Sequence, residues 1–307
     1  MNGVLVVDKP SGPTSHDVVA RVRRAIGVDR IGHTGTLDPL ATGVLPLVVG
    51  RATRLAQYLT ASEKEYVAGI RFGAVSSTYD AEGSLTALGV GDASLTVTPA
   101  TVEEALAGFR GSFEQTPPPF SAKKVSGTRA YRLARSQQPV RLKPVPVRVT
   151  TLQLMSLADN LAVVRLVCSS GFYVRSLAHE LGQRLGCGAF LESLRRTRVG
   201  SFTIAAAVEL TTVESCGADA QKWLTTMDRL LPEIPGLVVT AIGARRVSHG
   251  NSLSMEDFAE APAMVGRVVA EAEPGKRTVR LLDQAGNLLA IAQPAAGGLL
   301  HPVVVLV

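Results

Sequence analysis

Residues 32–47 read Gly-His-Thr-Gly-Thr-Leu-Asp-Pro-Leu-Ala-Thr-Gly-Val-Leu-Pro-Leu, with Asp38 the only acid among glycines, threonines and aliphatic side chains. The stretch lacks the GxxxxGK[ST] of a phosphate-binding Walker loop and the GxGxxG of a dinucleotide site. Pro39 biases Asp38 toward an extended backbone, and Gly32, Gly35 and Gly43 let a bulky ligand approach the main chain closely. An acid so placed is a candidate nucleophile, a candidate base or simply a turn residue, since Asp-Pro is a common turn dipeptide.

On either side the chain carries alternating strand and helix signals. Val4–Val7 reads as a strand, and Ser15 is placed to cap a helix with Val18, Val19, Val22 and Ile26 on one stripe and Gly27 just past its end. Tyr66–Phe72 reads as a strand with Tyr66, Ala68, Ile70 and Phe72 on one face. Thr101 and Glu104 have the spacing of a capping box. Leu161–Cys168 suits a buried strand, after which Ser176 is placed to cap a helix carrying Leu177, Leu181 and Leu185. A strand continued to Arg175 would project Tyr173 and Arg175 to one side. Past a linker near Pro232–Gly236, short strands and a Gly286-Asn287 turn predict a small β-rich domain over 236–307.

The 307 residues, 46% hydrophobic, are enough for two domains or one large one. No apolar run reaches the roughly 18 to 20 residues of a membrane helix; Val44–Val49 is interrupted by Pro46. The N-terminus lacks the pattern of an export signal, and Cys168, Cys187 and Cys216 form no CxxC pair, so a reducing cytoplasm, without disulfides or structural zinc, is expected. No His, Cys or carboxylate cluster has metal-ligand spacing, and no metal or cofactor is expected.

Charge is distributed unevenly. Residues 1–208 hold 24 Lys+Arg against 15 Asp+Glu, whereas 209–307 hold 8 against 11. Within 120–148, the cations Lys123, Lys124, Arg129, Arg132, Arg135, Arg141, Lys143 and Arg148 stand without any acid. A polyanion such as RNA is the natural partner of such a segment, although a solvated basic face has the same composition. Phe120, Tyr131 and Leu133 give the segment the look of a folded insertion.

Taken in order, GHTGTLDPLATGVLPL at 32–47, DKPSGPTSHD at 8–17, EKEYVAGIRFG at 63–73, PPPFSAKKVSGTRAYRLAR at 117–135, CSSGFYVRSLAHELG at 168–182 and GAFLESLRRTRVG at 188–200 resemble the TruB-type tRNA pseudouridine synthases. The resemblance covers most of residues 1–200 and is weak beyond about 235. It implies an α/β (α+β) fold: a mixed, mainly antiparallel sheet flanked by helices, forming a catalytic domain over 1–235 with the basic insertion at 120–148. A PUA-like β-rich unit would follow over 236–307.

Residue by residue, the resemblance implies that Asp38 is the nucleophile, Tyr66 the ring that stacks on the target uracil, and Arg175 the ion-pair partner of Asp38. Tyr173 and Leu194 would complete the pocket. His33 would meet the RNA beside the displaced base, and Lys9, in the matching N-terminal motif, would count among the RNA-binding residues; Lys123, Lys124 and Arg129, on the charge of the basic insertion, would hold phosphates. Phe120 stands where the family often has tyrosine, and Phe172 where a small residue is usual. The implied partner is the T arm of tRNA, met by a monomer without an obligate protein partner.

Two other functions fit parts of the sequence. A non-catalytic RNA-binding or RNA-folding protein would need the basic insertion but not Asp38. A glycosidase that cleaves without rejoining would usually need two carboxylates, and this motif holds one.

Overall fold

The structure is a computed structural model and describes residues 1–88, 97–121, 123–125, 128–130, 133, 136, 142–260, 263, 265–267 and 278–307. Its main body is one large mixed sheet built from β1 (Gly3–Lys9), β2 (Ile31–His33), β3 (Thr42–Val49), β4 (Lys64–Phe72), β5 (Gly111–Gln115), β6 (Val145–Ala158), β7 (Leu161–Cys168) and β8 (Ala189–Val199). The central path runs β1-β3-β8-β4-β7-β6-β5, and β2 pairs with β3. These neighbours are antiparallel except at one seam, where β3 and β8 run parallel and match Thr42 with Arg195 and Gly43 with Arg196. The loop bearing Asp38 opens directly onto that seam. Gly43 has φ +101°, and a Cβ there would lie 2.2 Å from the Arg196 carbonyl oxygen, so only glycine lets the two strands meet.

Helices α1 (Ser15–Ile26), α2 (Pro99–Ala107) and α3 (Val174–Arg184) cover one face of the sheet. The α1 stripe of Val18, Val19, Val22 and Ile26 is buried as expected, and Gly27 ends the helix in the left-handed region. Its cap, however, is Thr14, which exchanges hydrogen bonds with Asp17 in a capping box; Ser15 is turned into the protein instead. Likewise α2 is capped by Thr98 with Thr101 at the third helical position, because Pro99 fixes the start of the helix one turn earlier than the Thr101 and Glu104 pair suggests.

The strand signal at Leu161–Cys168 is matched residue for residue, but it does not continue to Arg175. The chain turns through Gly171 at φ +86°, Tyr173 becomes the N-cap residue of α3, and Arg175 lies in that helix's first turn. Ser176 is therefore inside the helix, where its Oγ donates to the Thr116 carbonyl at 2.8 Å.

The C-terminal part forms a second sheet, β9 (Gly236–Val238), β10 (Val279–Leu282), β11 (Leu288–Pro294) and β12 (Leu300–Val305), with helix α4 (Ala241–Ser248) against it. The expected turn falls between β10 and β11, where Asp283 accepts from the N–H groups of Ala285 and Asn287 and Gly286 supplies φ +84°. Leu288, Ile291 and Leu306 share one apolar core with Val4, Val6, Val44 and Val48 of β1 and β3. Arg51 and Arg54 donate to the Leu306 and Val305 carbonyls across the same contact. Among the described residues no helix is long and apolar enough to cross a membrane.

Candidate active site

The loop between β2 and β3 is held by three buried side chains from distant parts of the sequence. Ser15 accepts from the Leu37 N–H at 2.8 Å and its hydroxyl lies 3.0 Å from the Leu37 carbonyl oxygen. The Lys9 ammonium donates to the carbonyls of Pro10, Pro39 and Ala41 at 2.9, 3.1 and 2.7 Å. Arg196 donates to the carbonyls of Val44 and Gly35 at 2.7 and 3.0 Å. These bonds fix the backbone on both sides of Asp38, so its carboxylate is aimed by groups that do not touch it.

Asp38, Arg175 and Asp80 form a single charged cluster. Arg175 Nε lies 3.0 Å from Asp38 Oδ2 and its Nη2 lies 3.3 Å from Oδ1, a two-point contact, while Nη1 faces Asp80 Oδ2 at 3.4 Å. The guanidinium is completed by the carbonyls of Thr78 and Phe120 at 3.2 and 3.0 Å. The Arg175 and Asp80 side chains are 7% and 2% exposed, against 35% for Asp38, so of the three only the Asp38 carboxylate faces outward. Loss of hydration raises the Asp38 pKa above its ordinary value; Arg175 pulls the other way, and the negative charge of Asp80 adds to the rise.

Tyr66 on β4 and Arg196 on β8 are cross-strand partners, and the Tyr66 hydroxyl meets the guanidinium. Burial raises the Tyr66 phenol, keeping it neutral. Leu194, two residues before Arg196 and on the same inward face, is buried opposite Ala68. Among the described residues Arg196 gives its guanidinium to the Val44 and Gly35 carbonyls and to no carboxylate, and Lys64 likewise gives its ammonium to carbonyls, those of Thr60 and Ser62 at 3.0 and 2.8 Å. Burial lowers Lys9 and Lys64 to about 8. Lys9, expected beside the RNA, thus lies beneath the loop and supports it.

His33 sits at the end of β2, edge-on to His16 with ring centroids 5.1 Å apart. The Gly35 N–H donates to its Nδ1 at 3.3 Å, and burial lowers its pKa to about 4, so the ring is uncharged at neutral pH. Tyr173 is fixed by Gln115, a fully buried side chain whose oxygen accepts from the Tyr173 N–H at 2.8 Å and whose amide donates to the Tyr173 carbonyl at 3.0 Å.

The basic insertion begins at Phe120, whose carbonyl already belongs to the Arg175 cluster. Lys123 is half-buried, and the backbone pairs Lys124–Val125 with Thr128–Arg129. The side chains of Lys124 and Arg129, and residues Tyr131, Arg132, Arg135 and Arg141, lie outside the described residues.

Arg175 thus pairs with Asp38, and the Asp38 charge is felt by the phenols of both Tyr66 and Tyr173, while three further groups that were not singled out from the sequence join them. Asp80, in a turn closed by the Gly83 N–H on its carbonyl, is buried against Arg175. Gln115 carried no local signal. Arg196 did carry one: period two along the strand places it on the face of Leu194, whereas its neighbour Arg195 points out to Asp8 at 2.7 Å. No group of three or more His, Cys, Asp or Glu among the described residues could hold a metal ion.

Two family models match consecutive segments: TruB family pseudouridylate synthase (N terminal domain) over residues 23–174 and tRNA pseudouridylate synthase B C-terminal domain over 175–233. The chain is 44% identical to a tRNA pseudouridine synthase B of Solibacter usitatus over 308 residues, covering 100% of both chains. It is 38% identical to the protein of that name from Aquifex aeolicus, covering 84% of this chain and 89% of that one. Among solved structures, one described as a Cbf5-Nop10-Gar1 complex is 25% identical with a TM-score of 0.71, covering 96% of this chain and 79% of that one. One described as an H/ACA RNP bound to a substrate RNA containing 2'-deoxyuridine is 23% identical with a TM-score of 0.72, covering 99% and 85%, and carries the likeness of fold alone.

Proposed function

Because this chain belongs to the TruB family of pseudouridylate synthases, we propose that it is a tRNA pseudouridine synthase that isomerises the T-loop uridine 55, with Asp38 as nucleophile. The observation that carries this reading is the exposure of Asp38 alone within the Asp38–Arg175–Asp80 cluster.

The reaction breaks the bond between ribose C1′ and uracil N1, turns the base, joins C1′ to C5, and transfers the C5 proton away while N1 gains one. Nothing is oxidised or reduced, so a positioned, ionised carboxylate is the chief demand, whether it attacks sugar or ring. Arg175 supports the ionised form of Asp38, and the opposing effect of burial strengthens their attraction.

The uridine must leave its stack, at a cost of a few kcal/mol. Stacking on Tyr66 would offset roughly 1–3 kcal/mol of this. Tyr173 and Leu194 would close the pocket around the ring. The neutral His33 would fill space beside the displaced base as a flat, uncharged ring, while Lys123, Lys124 and Arg129 hold phosphates and so position the T arm. The chain would act on free tRNA as a monomer, without a metal, a cofactor or an obligate protein partner.

Incubating purified chain with an unmodified tRNA transcript and mapping pseudouridine by position tests the site and the self-sufficiency together. Asp38→Asn keeps the shape of the side chain but cannot attack, so conversion is lost while tRNA binding stays within about twofold of the parent. Pseudouridine formed by purified Asp38→Asn protein would remove Asp38 from the role of nucleophile.

A further inference from the structure

Tyr79 has φ +68°, in the left-handed region that a bulky aromatic residue rarely adopts. Its backbone is held there from both sides: its N–H donates to the Ser76 carbonyl at 3.1 Å and its carbonyl accepts from the Leu191 N–H of β8 at 2.9 Å. The ring lies flat on His179, with centroids 3.8 Å apart and planes at 6°. His179 stands on α3 one turn after Arg175, and its Nδ1 is buried without a hydrogen-bond partner among the described residues.

The segment 76–80 and helix α3 are thereby joined twice. Arg175 reaches Thr78 and Asp80 at 3.2 and 3.4 Å, and one turn further along the helix the two rings lie face to face. Asp80 immediately follows Tyr79, and Thr78 immediately precedes it. A shift of the Tyr79 backbone would therefore move the carboxylate and the carbonyl that flank the Arg175 guanidinium, and with them the partner of Asp38.

We infer that Tyr79 and His179 are positioning residues for the reaction, a ring-on-ring brace that sets Arg175 against Asp38 by fixing the 76–80 segment on α3. The inference rests on the assignment of Asp38 as nucleophile. The strained backbone fits a fixed geometry, since such a conformation persists only where its surroundings over-determine it. The neutral state of His179 fits too: burial lowers its pKa, so the ring packs without placing a second cation beside Arg175.

Tyr79→Gly removes the ring and also frees the backbone from strain, which separates the brace from a merely structural role. A structural role alone lowers the melting temperature, because the stacked ring is lost, and leaves conversion by the folded variant as fast as the parent's. The brace makes single-turnover conversion about tenfold slower at a temperature where the variant is fully folded, with the tRNA dissociation constant within about twofold. Tyr79→Phe, which keeps the ring, returns the rate to near that of the parent. Hydrogen exchange over residues 76–82 and 175–180 of the free protein rises in Tyr79→Gly and not in Tyr79→Phe. Turnover in Tyr79→Gly equal to the parent's, or Tyr79→Phe as slow as Tyr79→Gly, overturns the brace. A parent without conversion instead removes the assignment of Asp38, and the brace is then decided by exchange: no rise in Tyr79→Gly overturns it.

Discussion

At the scale of the residue, Asp38 serves two opposed demands. Attack needs the ionised carboxylate, yet loss of hydration and the charge of Asp80 both favour the protonated form. A carboxyl whose folded-state pKa is raised stabilises the fold below its unfolded value and loses that contribution as pH rises through the folded one. The fold therefore gives up stability at the pH where Asp38 becomes reactive, and Arg175 limits the loss. The acid limb of the single-turnover rate should accordingly lie above the ordinary aspartate value. Asp80→Asn removes the negative charge that adds to the rise of Asp38, so that limb should move to lower pH, while the looser Arg175 lowers the maximum rate. A pH–rate profile of the two proteins checks this, and a limb that stays in place or moves up would contradict the assigned electrostatics.

At the scale of the element, the start of α1 does two separable jobs with adjacent hydroxyls. Thr14 caps the helix, and Ser15 holds Leu37 by its N–H and its carbonyl, one residue before Asp38. Thr14→Ala should cost about 1 kcal/mol of stability and leave conversion unchanged. Ser15→Ala leaves a buried N–H without its acceptor, which should cost about 1–3 kcal/mol and also slow conversion, because the loop loses the bond nearest its nucleophile. Urea denaturation alongside single-turnover rates distinguishes the two, and equal rates in both variants would show that Ser15 serves stability alone. The same division explains why Ser15 reads as a cap from the sequence: both hydroxyls satisfy the cap pattern, and only the burial of one of them decides between them.

At the scale of the whole molecule, the basic excess of the first two thirds and the acidic balance of the last third predict where a polyanion is held. Replacing Lys123, Lys124 and Arg129 together by neutral residues should weaken tRNA binding and reduce the slope of log affinity against log salt by about 2–3, the number of phosphate contacts removed. Binding measured across a salt series checks it; an unchanged slope would take the segment out of the RNA interface. The C-terminal sheet is not an appendage in this arrangement. Leu288, Ile291 and Leu306 bury against β1 and β3, the strands that carry Lys9 and lead from Asp38, so the second sheet backs the first where the loop is anchored.

Local pattern was enough for the strands Tyr66–Phe72 and Leu161–Cys168 and the apolar stripe of α1, because each depends on a periodicity written in consecutive residues. The motif around Asp38 identified the family on the same terms, through an ordered string of short segments. What consecutive residues cannot carry is a contact between distant ones. Only the folded chain places Asp80 and Gln115, makes Lys9 a support of the loop, and turns Tyr173 and Arg175 to the cap and first turn of a helix instead of a strand. These placements are decided by hydrogen bonds that span from 30 to 137 residues, and by the cost of burying a charge or an amide without a partner.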